Sequence, residues 1–327
     1  MAARADFEAE KWNRRQVLRR FGIVAAGAFA VGAIPKCFAL TVAEGSGGGK
    51  SFPVTTVNHL NLTSANYKRS RDFYVDLFGM RVAWDDGRQC ALEFGSLTSP
   101  NGMYIRPLTK PGEKPTIGHM AFGIPNFMSQ RAAMKAELVR RGVKNIREDG
   151  EVGWSCDDPS GYPLNIWVPE KNRAMFPGAA GPCEIASSAK CKTAFDAGVK
   201  NLGSAPKPNA KSFHPVGFSF IILNVPDVAK ERDFYRDLLG MRVVSDVSQT
   251  PGAEECYLRF GQNTLVLRKL GGPGGKPYCN QFGFAVAKSS MEIESELMRR
   301  GFKSEPDSKL GGWTISDPSG FRVGISS

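Results

Sequence analysis

The stretch RDFYVDLFGMRV at residues 71–82 recurs as RDFYRDLLGMRV at residues 232–243, with ten of twelve positions identical. In the first copy the apolar residues from Phe73 to Phe78 fall on one stripe of a helix, and Gly79 supplies the residue that ends such a helix. An internal repeat of this length indicates a duplicated structural unit.

Two shorter stretches repeat as well, and they are ELVRRGVK at 137–144 with ELMRRGFK at 296–303, and DPSG at 158–161 with DPSG at 317–320. The three pairs are 161, 159 and 159 residues apart, so their order and spacing are kept. We therefore predict two homologous domains, at about 53–170 and 215–327. The stretch between them, 171–214, is rich in Ala, Ser, Lys, Gly and Pro and is typical of a linker.

Each domain also shows an internal doubling. The first domain has an ordered series of predicted elements: a strand at 54–62, a helix around Phe73, strands near 80–84, 89–94 and 102–106, a strand at 117–124, a helix near 127–141, and strands near 152–156 and 162–168. The predicted order is βαβββ, four times along the chain.

This order, together with RDFYxDLxGMRV, GHMAFGI at 118–124 and DPSGYPLNIW at 158–167, resembles the vicinal oxygen chelate (VOC) superfamily. That family includes glyoxalase I, extradiol ring-cleaving dioxygenases, fosfomycin-modifying enzymes and bleomycin-resistance proteins. The resemblance implies an α+β fold with tandem VOC-type domains, each of two βαβββ modules forming a curved mixed sheet. A ligand or metal ion would sit in the cup of that sheet.

The resemblance also implies a metal site in the first domain. The family takes one histidine from the first strand of each module and a carboxylate from the last strand of the second module. These positions fall on His59, His119 and Asn165. The whole chain has three histidines, so chance is a poor explanation for two of them at these positions. The implied cofactor is a divalent Fe, Mn, Zn or Ni ion. Tyr104 is a candidate catalytic residue as a proton donor or hydrogen-bond partner of the substrate, with a packing role on the sheet as the alternative.

Asn165 departs from the family pattern. An amide oxygen contributes no charge and binds transition metals more weakly than a carboxylate does. The nearest acid that we can suggest for the cup is Glu93, and the alternative is that Glu93 is a solvated strand residue. A metal-free polar cup around His59 and His119 stays open as the other interpretation.

The second domain lacks the ligand set. The corresponding positions hold Phe220, Gln281 and Gly324, none of which is a convincing transition-metal ligand. We therefore predict a second VOC domain without metal ligands, with a structural or ligand-shaping role.

The N-terminus is typical of an export signal. NRRQVLRRFG at 13–22, with its adjacent arginine pair, precedes an apolar stretch at 21–34 that is too short to span a bilayer comfortably. It resembles the twin-arginine motif, so we predict a signal peptide at 1–39, the twin-arginine export machinery as a partner, and a periplasmic or otherwise extracytoplasmic location. Contact with the membrane would be transient, through the signal, and an uncleaved N-terminal anchor is the alternative.

Charge and cysteine content restrict the partners and the compartment further. The formal charge is +11, but the first 39 residues carry seven Lys/Arg against three Asp/Glu, which leaves about +7 over both halves. No run of interleaved basic and aromatic residues appears, so nucleic acid is not a predicted partner. Cys183 and Cys191 are the best candidates for a disulfide outside the cytoplasm, with free thiols as the alternative.

Together these patterns predict an exported, metal-dependent enzyme of the glyoxalase/dioxygenase type that acts on a small oxygenated molecule, aromatic ones included. One alternative is a metal-free small-molecule binding protein of the bleomycin-resistance type. A structural partner in a larger extracytoplasmic assembly is another, because fold alone does not decide function.

Overall fold

The computed structural model describes residues 49–96, 100–110, 112–149, 153–168, 207–271 and 275–327, all of which belong to one compact unit. The predicted signal at 1–39 and the suggested Cys183–Cys191 pair lie outside these residues. None of the helices in these ranges has the length and apolar content that crossing a bilayer requires.

The first repeat forms ten elements: β1 (Thr56–Ser64), α1 (Tyr67–Phe78), β2 (Arg81–Asp85), β3 (Cys90–Gly95), β4 (Pro100–Pro107), β5 (Ile117–Gly123), α2 (Phe127–Arg140), β6 (Arg147–Asp149), β7 (Gly153–Asp157) and β8 (Pro163–Trp167). The eight strands form one sheet in the order β2-β3-β4-β1-β5-β8-β7-β6. Strands β1 and β4 are parallel, as are β5 and β8, and the other neighbours are antiparallel.

The second repeat forms the equivalent ten elements: β9 (Pro215–Val225), α3 (Val228–Asp237), β10 (Arg242–Asp246), β11 (Glu255–Phe260), β12 (Asn263–Lys269), β13 (Tyr278–Val286), α4 (Ser290–Arg299), β14 (Glu305–Pro306), β15 (Trp313–Ser316) and β16 (Arg322–Ser326). Their sheet order, β10-β11-β12-β9-β13-β16-β15-β14, reproduces that of the first repeat. Two mixed, sheet-dominated units built from βαβββ modules confirm the predicted α+β class.

The arginine that opens the repeated motif ties its helix to the end of the next strand. Arg71 of α1 donates to the carboxylate of Asp85 in β2, and Arg232 of α3 donates to Asp246 Oδ2 of β10 at 2.6 Å. Arg71 and Asp85 are both buried, where a charge needs an opposite charge and hydrogen bonds. This pair therefore fixes the helix on its sheet.

The tyrosine of the motif reaches the other half of the molecule. Tyr74 donates to Asp317 Oδ2 at 2.8 Å, and Tyr235 donates to Asp158 Oδ2 at 3.1 Å. Both aspartates belong to the repeated DPSG turns, so each RDFY helix bonds to the DPSG turn of the opposite repeat. The repeated RDFY and DPSG motifs thus form one reciprocal interface between the two halves.

The segments that precede the first strand of each repeat also cross over. Phe52 N–H donates to Leu238 O at 2.8 Å, and Phe213 N–H donates to Leu77 O at 2.9 Å. Phe213, at the end of the predicted linker, is buried.

The glycine of each motif permits this crossing. Gly79 has φ +65° and Gly240 has φ +63°, a region that favours glycine. A Cβ on Gly79 would lie 2.5 Å from the ring of His214, and one on Gly240 would lie 2.9 Å from Pro53. The helix ends therefore need glycine for conformation and for space.

Aromatic side chains join the two sheets into a shared core. Phe78 packs against Phe284 with ring centroids 4.7 Å apart, and Phe94 packs against Phe218 at 4.9 Å. A smaller apolar cluster of Ala83, Trp84, Ala91 and Tyr104 lies apart from that core on the first sheet. Tyr104 of this smaller cluster lies beside His59, with ring centroids 5.0 Å apart.

Candidate metal centre

Strand alternation positions the first histidine. In β1, Leu60 and Leu62 belong to the shared core, so His59 and Asn61 point to the opposite face of the sheet. His59 is fully buried. On the neighbouring strand β5, His119 pairs with Asn61, which places both histidines on the same face of the first sheet.

The two imidazole rings converge. His59 Nε2 lies 3.1 Å from His119 Nε2, and the ring planes are 81° apart. Two ligands about 2.1 Å from one ion are about 3.1 Å apart when they subtend roughly 95° at it. The separation therefore suits two cis ligands of a single divalent ion.

The protonation of His59 follows from its neighbour Asn58. Asn58 Nδ2 donates to Val168 O at 3.0 Å, which leaves its Oδ1 facing His59 Nδ1 at 2.9 Å. An amide oxygen only accepts, so Nδ1 carries a proton, and in the neutral form of the ring the lone pair is at Nε2. Metal-ligating histidines are typically oriented by such a bond from the other ring nitrogen.

This tautomer restricts what lies between the rings. If His119 Nε2 also presented a lone pair, the two nitrogens would repel each other at 3.1 Å. Either His119 Nε2 carries a proton and donates to His59, or a cation occupies the space. The pair thus has two chemically sensible states, a hydrogen-bonded one and a metal-bound one.

Asn165 is held by the protein through both of its amide atoms. Ser155 Oγ donates to Asn165 Oδ1 at 3.1 Å, and Asn165 Nδ2 donates to Asp149 Oδ2 at 2.5 Å. Asn165 pairs with Ala121, which pairs with His59, so the three residues lie in one row across the sheet. A neutral amide stands at the predicted carboxylate position, and a carboxylate lies directly behind it.

The donor set fits a divalent ion in part. Two neutral imidazoles fit, and the oxygen of Asn165, which already accepts from Ser155 Oγ, has a second lone pair to offer. Within the described residues there is no cluster of three or more His, Cys, Asp or Glu side chains that would hold a metal. An ion here would rely on the amide oxygen, water and an anionic substrate to complete its coordination.

Aromatic rings pack around His59. The rings of Tyr104 and Trp167 each stand 5.0 Å from the His59 ring in an edge-on arrangement. Tyr104 is buried in the cluster with Trp84. This wall keeps water away from His59 and strengthens electrostatic interactions inside the site.

Asn61 is a polar residue that the sequence-based prediction did not include. It lies between Tyr104 on β4 and His119 on β5 in the strand register, and it is 4% exposed. Its Nδ2 is buried and has no hydrogen-bond partner among the described residues. A buried donor without an acceptor costs about 1–3 kcal/mol, so this N–H group is suited to donate a hydrogen bond to an oxygen of a ligand.

Glu93 is buried, so the alternative of a solvated strand residue is wrong. Glu93 on β3 and His59 on β1 both pair with Gly102 on β4, which places the acid in the row of the site. Strand alternation in the sequence would have identified Asn61 and Trp167, which lie two residues from His59 and Asn165. No comparable signal marks Asp149, because its strand has three residues.

The second sheet carries an apolar filling at the equivalent place. Phe220, the counterpart of His59, lies over Gly283 and Gly324, and a Cβ on Gly324 would be 2.5 Å from the Phe220 ring. Gln281 pairs with Ile222 as His119 pairs with Asn61. The ring takes the space that a ligand cluster would need.

A cavity of about 230 Å³ lies elsewhere, between the two repeats. Its lining includes Phe78, Arg81 and His214, and neither His59 nor His119 borders it. It is therefore separate from the histidine pair.

The fold and this geometry agree with the comparisons to known proteins. A family model described as the Glyoxalase/Bleomycin resistance protein/Dioxygenase superfamily matches residues 56–166 and 217–325. The chain belongs to this superfamily. The two matched segments correspond to the two sheets, and the predicted family is confirmed. A search of curated protein sequences found no significant match.

Solved structures of several superfamily enzymes share the fold. A variant of homoprotocatechuate 2,3-dioxygenase from Brevibacterium fuscum in complex with HPCA is 17% identical, with a TM-score of 0.62 over 86% of this chain and 73% of that one. The 2,3-dioxygenase LapB from Pseudomonas sp. KL28 is 13% identical, with a TM-score of 0.60 over 84% and 93%. The Mn(II)-bound glyoxalase from Novosphingobium aromaticivorans is 15% identical, with a TM-score of 0.59 over 84% and 82%. At these identities the likeness establishes the fold.

Proposed function

We propose that this protein is an exported, metal-dependent enzyme of the glyoxalase/dioxygenase type that acts on a small oxygenated molecule. The observation that carries the proposal is the convergence of His59 Nε2 and His119 Nε2 at 3.1 Å, with His59 oriented by the bond from its Nδ1 to Asn58. The dioxygenase neighbours and the Mn(II)-bound glyoxalase support the same reaction class.

His59 and His119 would hold the divalent ion, an Fe, Mn, Zn or Ni ion, with Asn165 Oδ1 as the third protein ligand. Such an ion, when bound, supplies Lewis acidity toward a substrate oxygen or a centre for dioxygen chemistry. The three protein ligands are all neutral, so they leave the ionic charge uncompensated. The substrate class that fits best therefore brings its own anionic oxygen, as an enolate or a catecholate does.

The remaining residues position that substrate. Asn61 Nδ2 would donate to a substrate oxygen, which would satisfy its buried N–H group. Tyr104, beside His59 and opposite Asn61, would donate a hydrogen bond or a proton to the same molecule. Trp167 and the Trp84 cluster would exclude water.

Export through the twin-arginine pathway completes the proposal. Proteins with such signals cross the membrane already folded, which suits a site assembled from distant strands. Replacement of the arginine pair at 14–15 by lysine should retain the protein in the cytoplasm. Cell fractionation would measure its location, and mass spectrometry would show whether the predicted signal at 1–39 has been removed. Normal export of that variant would contradict the predicted route.

Metal analysis of the exported protein tests the enzymatic proposal. The wild-type chain and the variant Gln281→Ala, altered at the equivalent place in the second sheet, should each hold about one ion per chain. The double variant His59→Ala/His119→Ala should hold less than about a tenth of that. Wild-type protein that binds no Fe, Mn, Zn or Ni, even when each is added, would contradict the proposal.

A metal-free binding protein is the second candidate. It is favoured by Asn165, whose two amide atoms already have protein partners, and by the hydrogen-bonded state that the histidine pair allows. Saturable binding of 4-nitrocatechol by chelator-treated protein, unchanged when metal is added back, would support this function. Binding that requires the metal would support the enzyme.

A further inference from the structure

We propose that Asp149 is a positioning residue that carries, one hydrogen bond behind the site, the negative charge that a ligand carboxylate would otherwise supply at position 165. This inference rests on the proposed metal-binding function. It concerns a residue on the short edge strand β6, outside the family ligand positions.

One oxygen of Asp149 fixes two parts of the site. Asp149 Oδ2 accepts from Asn165 Nδ2 at 2.5 Å and from Trp167 Nε1 at 2.8 Å. The first bond fixes the orientation of the amide, so the oxygen of Asn165 and not its NH2 group is offered to a cation. The second bond holds the indole against the ring of His59, 5.0 Å away.

The backbone is built to allow this reach. Asp149 pairs with Gly153 of β7, and a Cβ on Gly153 would overlap Trp167 Cδ1. The indole therefore lies across a glycine to bring its N–H group to the carboxylate. Any side chain at 153 would displace Trp167 and break this bond.

The amide and the acid are complementary. A carboxylate at 165 would face that of Asp149 within hydrogen-bonding distance and would offer it no N–H group. The hydrogen bond therefore needs an amide at one of the two positions and a carboxylate at the other. In this chain the carboxylate stands at 149, and its hydrogen bond orients and polarises the amide of Asn165.

The second sheet provides an internal comparison. Asp307 occupies the place of Asp149, since its N–H donates to Gly312 O across the same strand pair. Its carboxylate accepts from the backbone N–H groups of Lys309 at 3.0 Å and Leu310 at 2.9 Å. The counterpart of Asn165 there is Gly324. Where histidines are lacking, the side-chain hydrogen bonds that the acid makes with described residues are to its own turn.

Exchange of the two side chains tests the inference. We would measure the Mn²⁺ dissociation constant of the full exported chain for wild type, Asp149→Asn, Asn165→Asp and the double exchange, with Asp307→Asn as the matched control. Asp149→Asn keeps an acceptor oxygen but removes the charge, so affinity should fall about 10–100-fold. The double exchange restores an amide–carboxylate pair with the charge at the ligand position, so its affinity should equal or exceed that of wild type. Asp307→Asn should leave it unchanged.

Several outcomes would overturn the inference. Asp149→Asn with wild-type affinity would show that the charge has no role. A double exchange no better than Asp149→Asn alone, with both variants folded by circular dichroism, would show that Asp149 acts only as structural support. If wild type binds no Mn²⁺ while the double exchange binds one ion, Asp149 does not supply the charge in the natural chain, and the inference fails. Failure of wild type to bind Fe, Zn and Ni as well would contradict the proposed function itself, whereas an unchanged affinity of Asp149→Asn contradicts the inference alone.

Discussion

Glu231 lies at the interface between the repeats and should make the stability of the protein depend on pH. It is fully buried on α3, where Ser160 Oγ donates to its Oε1 and no donor among the described residues reaches its Oε2. Beside it, Asp158 Oδ2 accepts from Tyr235. At the equivalent place on the other side of the interface, Ser70 meets only serine hydroxyls. One side of the interface thus buries two carboxyl groups, those of Glu231 and Asp158, and the other side buries one, that of Asp317.

Burial, together with the nearby negative charge of Asp158, raises the pKa of Glu231 to about 8 from an ordinary value of 4.5. Burial raises the pKa of Asp158 to about 6. When the pKa of a carboxyl is higher in the folded state, the group takes up a proton on folding at any pH between its unfolded and its folded pKa. The free energy of unfolding therefore falls as the pH rises from about 4.5 to about 8. The whole rise in the pKa of Glu231 corresponds to about 5 kcal/mol, and since the two carboxyls titrate as a pair, we expect about 2–4 kcal/mol at this residue.

The substitution Glu231→Gln isolates this effect, because an amide of the same shape remains neutral at every pH. We expect the variant to be within about 1 kcal/mol of wild type at pH 5 and about 2–4 kcal/mol more stable at pH 9. Urea unfolding followed by tryptophan fluorescence and circular dichroism would measure both values, with Ser70→Ala as a control whose effect should be independent of pH. An equal difference between Glu231→Gln and wild type at pH 5 and pH 9 would refute a protonated buried carboxyl.

Three other substitutions or reactions follow from the packing. Gly153→Ala should lower the free energy of unfolding by about 1–3 kcal/mol, because the new methyl group overlaps the indole of Trp167. Gly118→Ala is the control and should be almost neutral, because the nearest atom to its methyl group is 3.8 Å away. Equal melting temperatures for the two variants would contradict this. Tyr74→Phe should cost about 1–3 kcal/mol in urea unfolding, since buried Asp317 loses a donor from the other repeat, and an unchanged midpoint would count against the reciprocal interface. Burial raises the pKa of four thiols, those of Cys90, Cys156, Cys256 and Cys279. They should therefore react with DTNB only after denaturation. A rapid reaction of any of these four in the native protein would show that it is not buried.

Much of the fold was accessible from local patterns. Alternation and helical stripes located nearly every element of the first repeat to within two or three residues, because each element is longer than the period of its pattern. The exception is β6, whose three residues are too few to show an alternation. Its end is where Asp149 lies, so the same shortness concealed the acid behind the site.

The sequence also placed the candidate ligands on particular strands, but it did not establish their surroundings. His59, His119 and Asn165 could be assigned to strands from the repeat and the resemblance alone. That Glu93 is buried, or that Asn58 fixes the tautomer of His59, depends on which strands are neighbours. Whether these residues hold a metal stays a prediction.

The amino-acid sequence by itself determined that the protein is a duplicated α+β chain of βαβββ modules, because duplication and the periods of helices and strands are properties of the linear order. Only the tertiary structure decided that each RDFY tyrosine bonds to the opposite repeat and that Asp149 reaches Asn165. Hydrogen bonds and charges act over a few ångströms in space, and the residues that come so close are separated along the chain by distances that no local pattern records.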